Sequence, residues 1–186
     1  CFNHFPEQFR KEARQVLEDI EAFIVNRIKT VFIDYGVTKD EIEASLSSGF
    51  SDIYDTYCKV QALHAFRESN PNFPLLYEVF KRAKGQLGEQ KKRVDFSPKL
   101  LSEKAEITLD KLLNETQTPF ESAIESGKYD EAYNLIASIQ PSLATLFEEV
   151  KILADAEDVR NNRIALLQRV FDSFNTLLDF SKIKEH

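Results

Sequence analysis

Apolar positions return every three or four residues along most of the chain, the spacing of a single buried face on an α-helix. Phe9, Ala13, Val16, Leu17, Ile20, Phe23, Ile24, Ile28 and Val31 define a long first amphipathic helix, with Gly36 as its C-terminal cap. Thr38, Lys39, Asp40 and Glu41 read as a capping box, a hydroxyl followed three residues later by a carboxylate, opening a short helix through Leu46. Ser47, Ser48 and Gly49 form a break. A third helix is expected over about 52–69, with Ile53, Tyr57, Val60 and Leu63 inward. Asn70 to Pro74 is a turn, and Pro74 suits the first turn of a fourth helix carrying Leu75, Leu76, Val79 and Phe80. Gly85 and Gly88 weaken that helix, and residues 89–97 read as an exposed basic loop.

Ser97-Pro98 restarts the pattern, which runs past Leu109, Leu112 and Leu113 to about Ser126, where Gly127 ends it. A short helix is expected from Tyr129 to Ile139, another opening at Pro141, and a last one from about Glu157 to Asp179 capped by Asp155. No segment sustains a period of two, and no internal repeat occurs. The expectation is an all-α fold, an irregular helical bundle of about seven or eight helices. Its parts are an N-terminal helical region 1–88, the basic loop 89–97 and a C-terminal helical region 98–186, together one unit.

Composition narrows the function. No apolar run approaches the roughly 20 residues that cross a bilayer, so no membrane partner is expected. Cys1 and Cys58 are too few for a disulfide framework or a zinc site, and a reducing, cytoplasmic setting follows as the default. The absence of methionine, with Cys1 first, suggests a piece of a longer protein. No catalytic constellation is present: there is no P-loop, no paired-glycine dinucleotide motif and no HExxH. His64 falls on the inward stripe of the third helix as a hydrogen-bonded core histidine, and Cys58 reads as a buried, inert thiol. Glu121 and Glu125 read as a solvated face. Catalytic residues, metal ligands and bound cofactors are all expected to be none.

A net charge of -7 argues against nucleic acid until it is divided along the chain. Residues 1–80 carry 8 basic and 13 acidic groups, and residues 94–156 carry 5 and 12. Between them, Lys81, Arg82, Lys84, Lys91, Lys92 and Arg93 face only Glu89, a local charge of +5. Lys81 and Lys84 share a helix face, as do Arg160 and Arg163. Such pairs can neutralise phosphates, and arginine can bond base edges in an unpaired loop. The plainer reading of 81–93 is a solvated loop. Arg163, inside the stripe continued by Leu166, Val170 and Phe174, is open to two readings: a buried partner for a carboxylate, or an RNA contact. Arg160 lies further from the stripe and is the better contact candidate.

Near the end of the chain, Leu146-Phe147-Glu148-Glu149-Val150 leads through Ala154-Asp155 into Arg160-Asn161-Asn162-Arg163-Ile164-Ala165-Leu166-Leu167. This resembles the C-terminal end of bacterial glycyl-tRNA synthetase β subunits, and the wider all-α DALR anticodon-binding domain. The naming tetrapeptide reads Glu157-Asp158-Val159-Arg160, keeping its arginine. Phe23 to Ile28, Val60 to Phe66, Lys81-Arg82 and Tyr129 to Ala132 are similar to further elements of that family in the same order, over about residues 20–180. The chain departs from the pattern at Phe80, Gly85, Gln86, Ala144, Lys151 and Leu153.

The resemblance implies a tRNA anticodon-binding domain, part of a larger glycine–tRNA ligase, with no catalytic site of its own. ATP and magnesium would be handled by the parent enzyme. Its partners would be the anticodon stem-loop of glycine tRNA, the remainder of the synthetase, and an α subunit or fused α region. The implied contact residues are Lys81, Arg82, Lys84, Lys91, Lys92, Arg93, Arg160, Asn162 and Arg163. The alternative is an acidic, all-helical protein-interaction module whose basic loop docks a carboxylate-rich partner without binding RNA.

Overall fold

The computed structural model describes residues 7–47, 49, 52–88 and 94–184, and of residues 7–12 the backbone alone. His4, Ser48, Lys91, Lys92, Arg93, His186 and the side chain of Phe9 therefore lie outside the described residues. The helices run α1 (Glu7–Asp34), α2 (Lys39–Leu46), α3 (Ile53–Ser69), α4 (Phe73–Leu87), α5 (Lys104–Glu125), α6 (Tyr129–Glu149) and α7 (Glu157–Phe174). Single 3-10 turns cover Pro98–Leu100 and Phe180–Lys182, and there is no strand among the described residues. The all-α expectation holds.

Glycine sets two of the corners. Gly36 and Gly127 adopt φ of 88° and 67°, and the amides of Val37 and Lys128 close back onto the carbonyls of Phe32 and Ala123. The second corner folds α5 and α6 into a helical hairpin. Ala132, Ile136, Ile139, Leu143 and Leu146 of α6 are fully buried in its centre. α3 and α4 cover one side of α6, while α7 packs against α4 and α5. A continuous core joins Ala44 at one end of the sequence to Ile183 at the other. Beyond α7 the chain returns to α2: Asp179 donates its amide to the Ala44 carbonyl at 3.0 Å, and Lys184 donates to Asp40 at 2.9 Å.

Several expected boundaries shift. Residues 129–149 form one helix instead of two, because the stripe Ile136, Ile139, Leu143, Leu146 passes through Pro141 in register. Proline removes one hydrogen bond and strains the preceding turn, and burial of that unbroken stripe outweighs the cost. α5 begins at Lys104, not at Pro98; Glu106 captures the amides of Ser102 and Glu103, both at 2.9 Å, which fixes the helix start there. α7 begins after Ala156, which occupies the capping position and has no polar side chain to cap with; Asp155 lies one residue before it and pairs with Lys151 at 3.0 Å, and the helix ends at Phe174.

The inward stripes of α1 and α3 also need correction. Ile53 and Tyr57 are largely exposed, and α3 buries Thr56, Val60, Leu63 and Phe66 instead. On α4, Phe73 is buried and Leu75 is exposed. The end of α1 meets the body through Phe32 and Ile28 against Val37, Ile42 and Val60. Phe23 is 71% exposed, and Val16, Leu17 and Ile20 are also open.

Candidate functional site

Lys81, Arg82 and Lys84 of α4 are all exposed, but their contacts differ. Lys81 and Lys84 stand one turn apart on the exposed face. The Lys81 ammonium sits 5.4 Å from the centre of the Tyr77 ring and 4.0 Å from the Glu78 carboxylate. Lys84 lies 5.7 Å over the ring of Phe171, so the α4 face reaches α7. Both ammonium groups border a groove between α4 and the end of the chain. Its floor is aromatic: Phe80 and Phe180 stack with ring centres 4.1 Å apart, and Phe171 meets Phe80 edge-on at 5.7 Å. Phe80 is one of the positions at which the sequence departs from the family pattern; here it is buried as that floor.

The arginines serve a different purpose. Arg82 donates to the Phe147 carbonyl at 3.2 Å and covers the Phe147 ring. Arg163 donates to the Lys151 carbonyl at 2.9 Å, and Arg160 to the Ala154 carbonyl at 3.2 Å. Arg160 and Arg163 thus each hold a carbonyl of the connection between α6 and α7, and Arg82 holds one in the last turn of α6. That segment ends a helix and needs donors for its terminal carbonyls. Arg163 is 8% exposed, and its Nε also pairs with Glu106, itself 1% exposed, at 2.5 Å. Of its two readings, the buried ion pair is the one seen.

Asn162 is turned inward as well. Its amide oxygen accepts from the Ser97 amide at 2.8 Å and its nitrogen donates to the Ser97 carbonyl at 3.1 Å. A buried asparagine thus stitches the segment after the basic loop to α7. Gln168 adds a bond from the Val94 amide, and Arg169 stacks on Phe96 while pairing with Asp110 and Asn114. The expected result of Asn162→Ala is a loss of about 1–3 kcal/mol, because Ser97 is left with unpaired backbone groups. Urea titration of the variant checks this, and a change of less than about 0.5 kcal/mol would contradict the stitching role.

His64 is half-buried, with Nδ1 3.0 Å from Glu41. Arg67 reaches Asp40, Glu41 and the Lys184 carbonyl, which ties α2, α3 and the end of the chain together. Cys58 is half-buried and in no disulfide, while Glu121 and Glu125 are exposed. Among the described residues, no group of three or more histidines, cysteines or carboxylates is placed to hold a metal ion, and no helix is long and apolar enough to cross a membrane. The groove itself escapes a reading by sequence pattern. Tyr77 and Phe171 belong to amphipathic stripes, and only the packing of α4 against α7 and the final 3-10 turn sets them beside the lysines.

Residues 76–185 match the family described as the DALR anticodon binding domain. Over nearly its whole length the chain is similar to glycine–tRNA ligase β subunits. It is 34% identical to the one from Desulforamulus reducens over 97% of this chain, and 30% identical to those of Syntrophus aciditrophicus and Clostridioides difficile over 98% and 97%. The chain spans about a quarter of those relatives' length, 26% in each case.

Proposed function

Because the chain belongs to the DALR anticodon-binding domain family, we propose that it binds the anticodon arm of a transfer RNA, and that this RNA is glycine tRNA. On this reading the chain is the RNA-holding portion of a cytoplasmic glycine–tRNA ligase. Activation of glycine with ATP and magnesium belongs to the rest of that enzyme and to its α subunit or fused α region. The contribution of this chain is binding alone. Its α4 lysines grip backbone phosphates and so orient an RNA whose acceptor end is engaged elsewhere.

The observation that carries the reading is the basic face of Lys81 and Lys84, with Arg82 exposed beside them, on a chain of net charge -7. Acidic surroundings repel RNA from other surfaces and leave that face as the point of contact. Phosphate contacts fix register without carrying sequence information, so discrimination needs a second element beside them.

A titration of the 186-residue chain with glycine tRNA and a non-cognate tRNA, across a salt series, tests the proposal. The expected outcome is tighter binding to glycine tRNA, with log K falling linearly in log salt. Equal binding of both RNAs would remove the glycine assignment. No binding of either at low salt would sink the RNA reading in favour of a protein-docking module.

A further inference from the structure

We infer that the groove between α4 and the chain end is a stacking pocket for one unpaired nucleotide base, walled by Tyr77 and Phe171 and flanked by Lys81 and Lys84. This rests on the proposal that the chain binds RNA, and it supplies the element that phosphate contacts lack.

The groove encloses about 130 Å³. That is slightly less than the roughly 150 Å³ cavity that holds a benzene ring, so the groove seats the face of one base at its mouth and excludes a helix or a duplex. Aromatic residues supply the lining, with Phe80 and Phe180 beneath and Tyr77 and Phe171 beside the opening. Tyr77 and Phe171 are half-buried, and each has an ammonium group poised over its ring, at 5.4 and 5.7 Å. Exposed cation–π contacts of this kind are weak. A base entering the groove can displace both ammonium groups from the rings, and each then meets a phosphate on one side of the stacked nucleotide. The Lys81–Glu78 contact is an exposed pair at 4.0 Å, whose loss costs little.

Tyr77 also lines a second hollow of about 270 Å³, whose charged border is balanced, with Arg67 and Lys184 against Glu68 and Glu78. The positive charge beside the stacked nucleotide therefore comes from Lys81 and Lys84. Aromatic faces set among cations are the recurring means of holding single-stranded nucleic acid, and base stacking is strong enough to outweigh the contacts it replaces. An aliphatic peptide anchor would use the rings but not the lysines, and an acidic peptide would use the lysines but not the rings.

The test measures binding of the 186-residue chain, at low salt, to the anticodon stem-loop of glycine tRNA. A parallel set of stem-loops each lacks the base at one unpaired loop position. Tyr77→Leu should weaken binding of the intact loop about tenfold or more, whereas Tyr77→Phe keeps the ring and should stay within about twofold. The Tyr77→Leu penalty should vanish on the one RNA whose missing base is the one that enters the groove. Phe171→Leu repeats the measurement on the opposite wall, with thermal melting of each variant as the check on folding. A penalty of equal size on every abasic loop, or none on the intact loop while the unaltered chain binds it, overturns the pocket but leaves RNA binding standing. Failure of the unaltered chain to bind any loop overturns both.

Discussion

Glu106→Ala is expected to destabilise the fold by about 3–5 kcal/mol, the cost of leaving a buried charge without its partner. For a chain of this size that corresponds to a fall in melting temperature of roughly 10 °C or more. Glu106 is 1% exposed and does three things at once: it accepts the amides of Ser102 and Glu103 and holds the Arg163 guanidinium. Removing it unfastens the start of α5 and strands a cation against the α6–α7 connection. Arg163→Met alone should also destabilise, since the carboxylate is then left buried. The double change Glu106→Leu with Arg163→Met should recover part of the loss, because an apolar pair carries no desolvation penalty. The α5 amides still lack their acceptor, so recovery stays incomplete.

The same carboxylate gives the fold an acid limb. Burial pushes the Glu106 pKa upward, but the Glu103 amide, the Arg163 guanidinium and the Ser102 amide outweigh it and hold the group below its ordinary value. Asp55 is likewise lowered: bonds from Tyr129 and Lys59 overcome its burial. A carboxyl with a depressed folded-state pKa contributes its full stability above its unfolded value, near 4, and loses it as pH falls through the folded value. Melting temperature should therefore be insensitive to these groups from pH 7 to about 5 and drop below about 4. Glu106→Gln should start lower at neutral pH and converge on the unaltered protein in acid. Parallel curves for the two proteins would mean that this carboxylate does not set the limb.

Helix order and turn positions follow from periodicity, glycine and capping residues, all local signals, and α2 to α4 begin within a residue or so of where those signals put them. The stripe through Pro141 is equally visible; a proline that reads as a boundary is overridden when the buried positions on either side stay in phase. What pattern alone does not supply is the neighbour. The charge of Arg82, Arg160 and Arg163 is legible, and for Arg163 a buried carboxylate partner is one of its two readings, but the carbonyls these side chains bind, at the end of α6 and in the connection after it, are not named by any local pattern. Asn162 is a polar residue inside an apolar run, which flags burial with a partner, but nothing local names Ser97, 65 positions away. The groove is harder still, since its walls come from α4, α7 and the 3-10 turn. The open stripe on α1 is the converse case: periodicity reports an apolar face, and this chain leaves much of it uncovered.

Reversing Lys81 and Lys84 together is expected to have the largest effect on RNA binding. Every phosphate that is no longer neutralised should lower the slope of log K against log salt by about 0.9 on duplex and about 0.7 on single strand, so the pair should remove roughly 1.4–1.8. At low salt the affinity should fall at least tenfold, and the two titrations should approach each other as salt screens the charges. Arg82→Ala is the informative contrast, although it lies between the two lysines in sequence. Its guanidinium is committed to the Phe147 carbonyl and ring, so its removal should cost about 1 kcal/mol of stability and leave the salt slope unchanged. Lys81→Glu also places a carboxylate beside Glu78, an exposed i,i+3 repulsion worth a few tenths of a kcal/mol. A melting curve separates that small cost from a binding effect, and Gln at both positions removes it. If the double reversal leaves the slope intact while Arg82→Ala lowers it, the phosphates lie against the arginine clamp and not the outer face of α4.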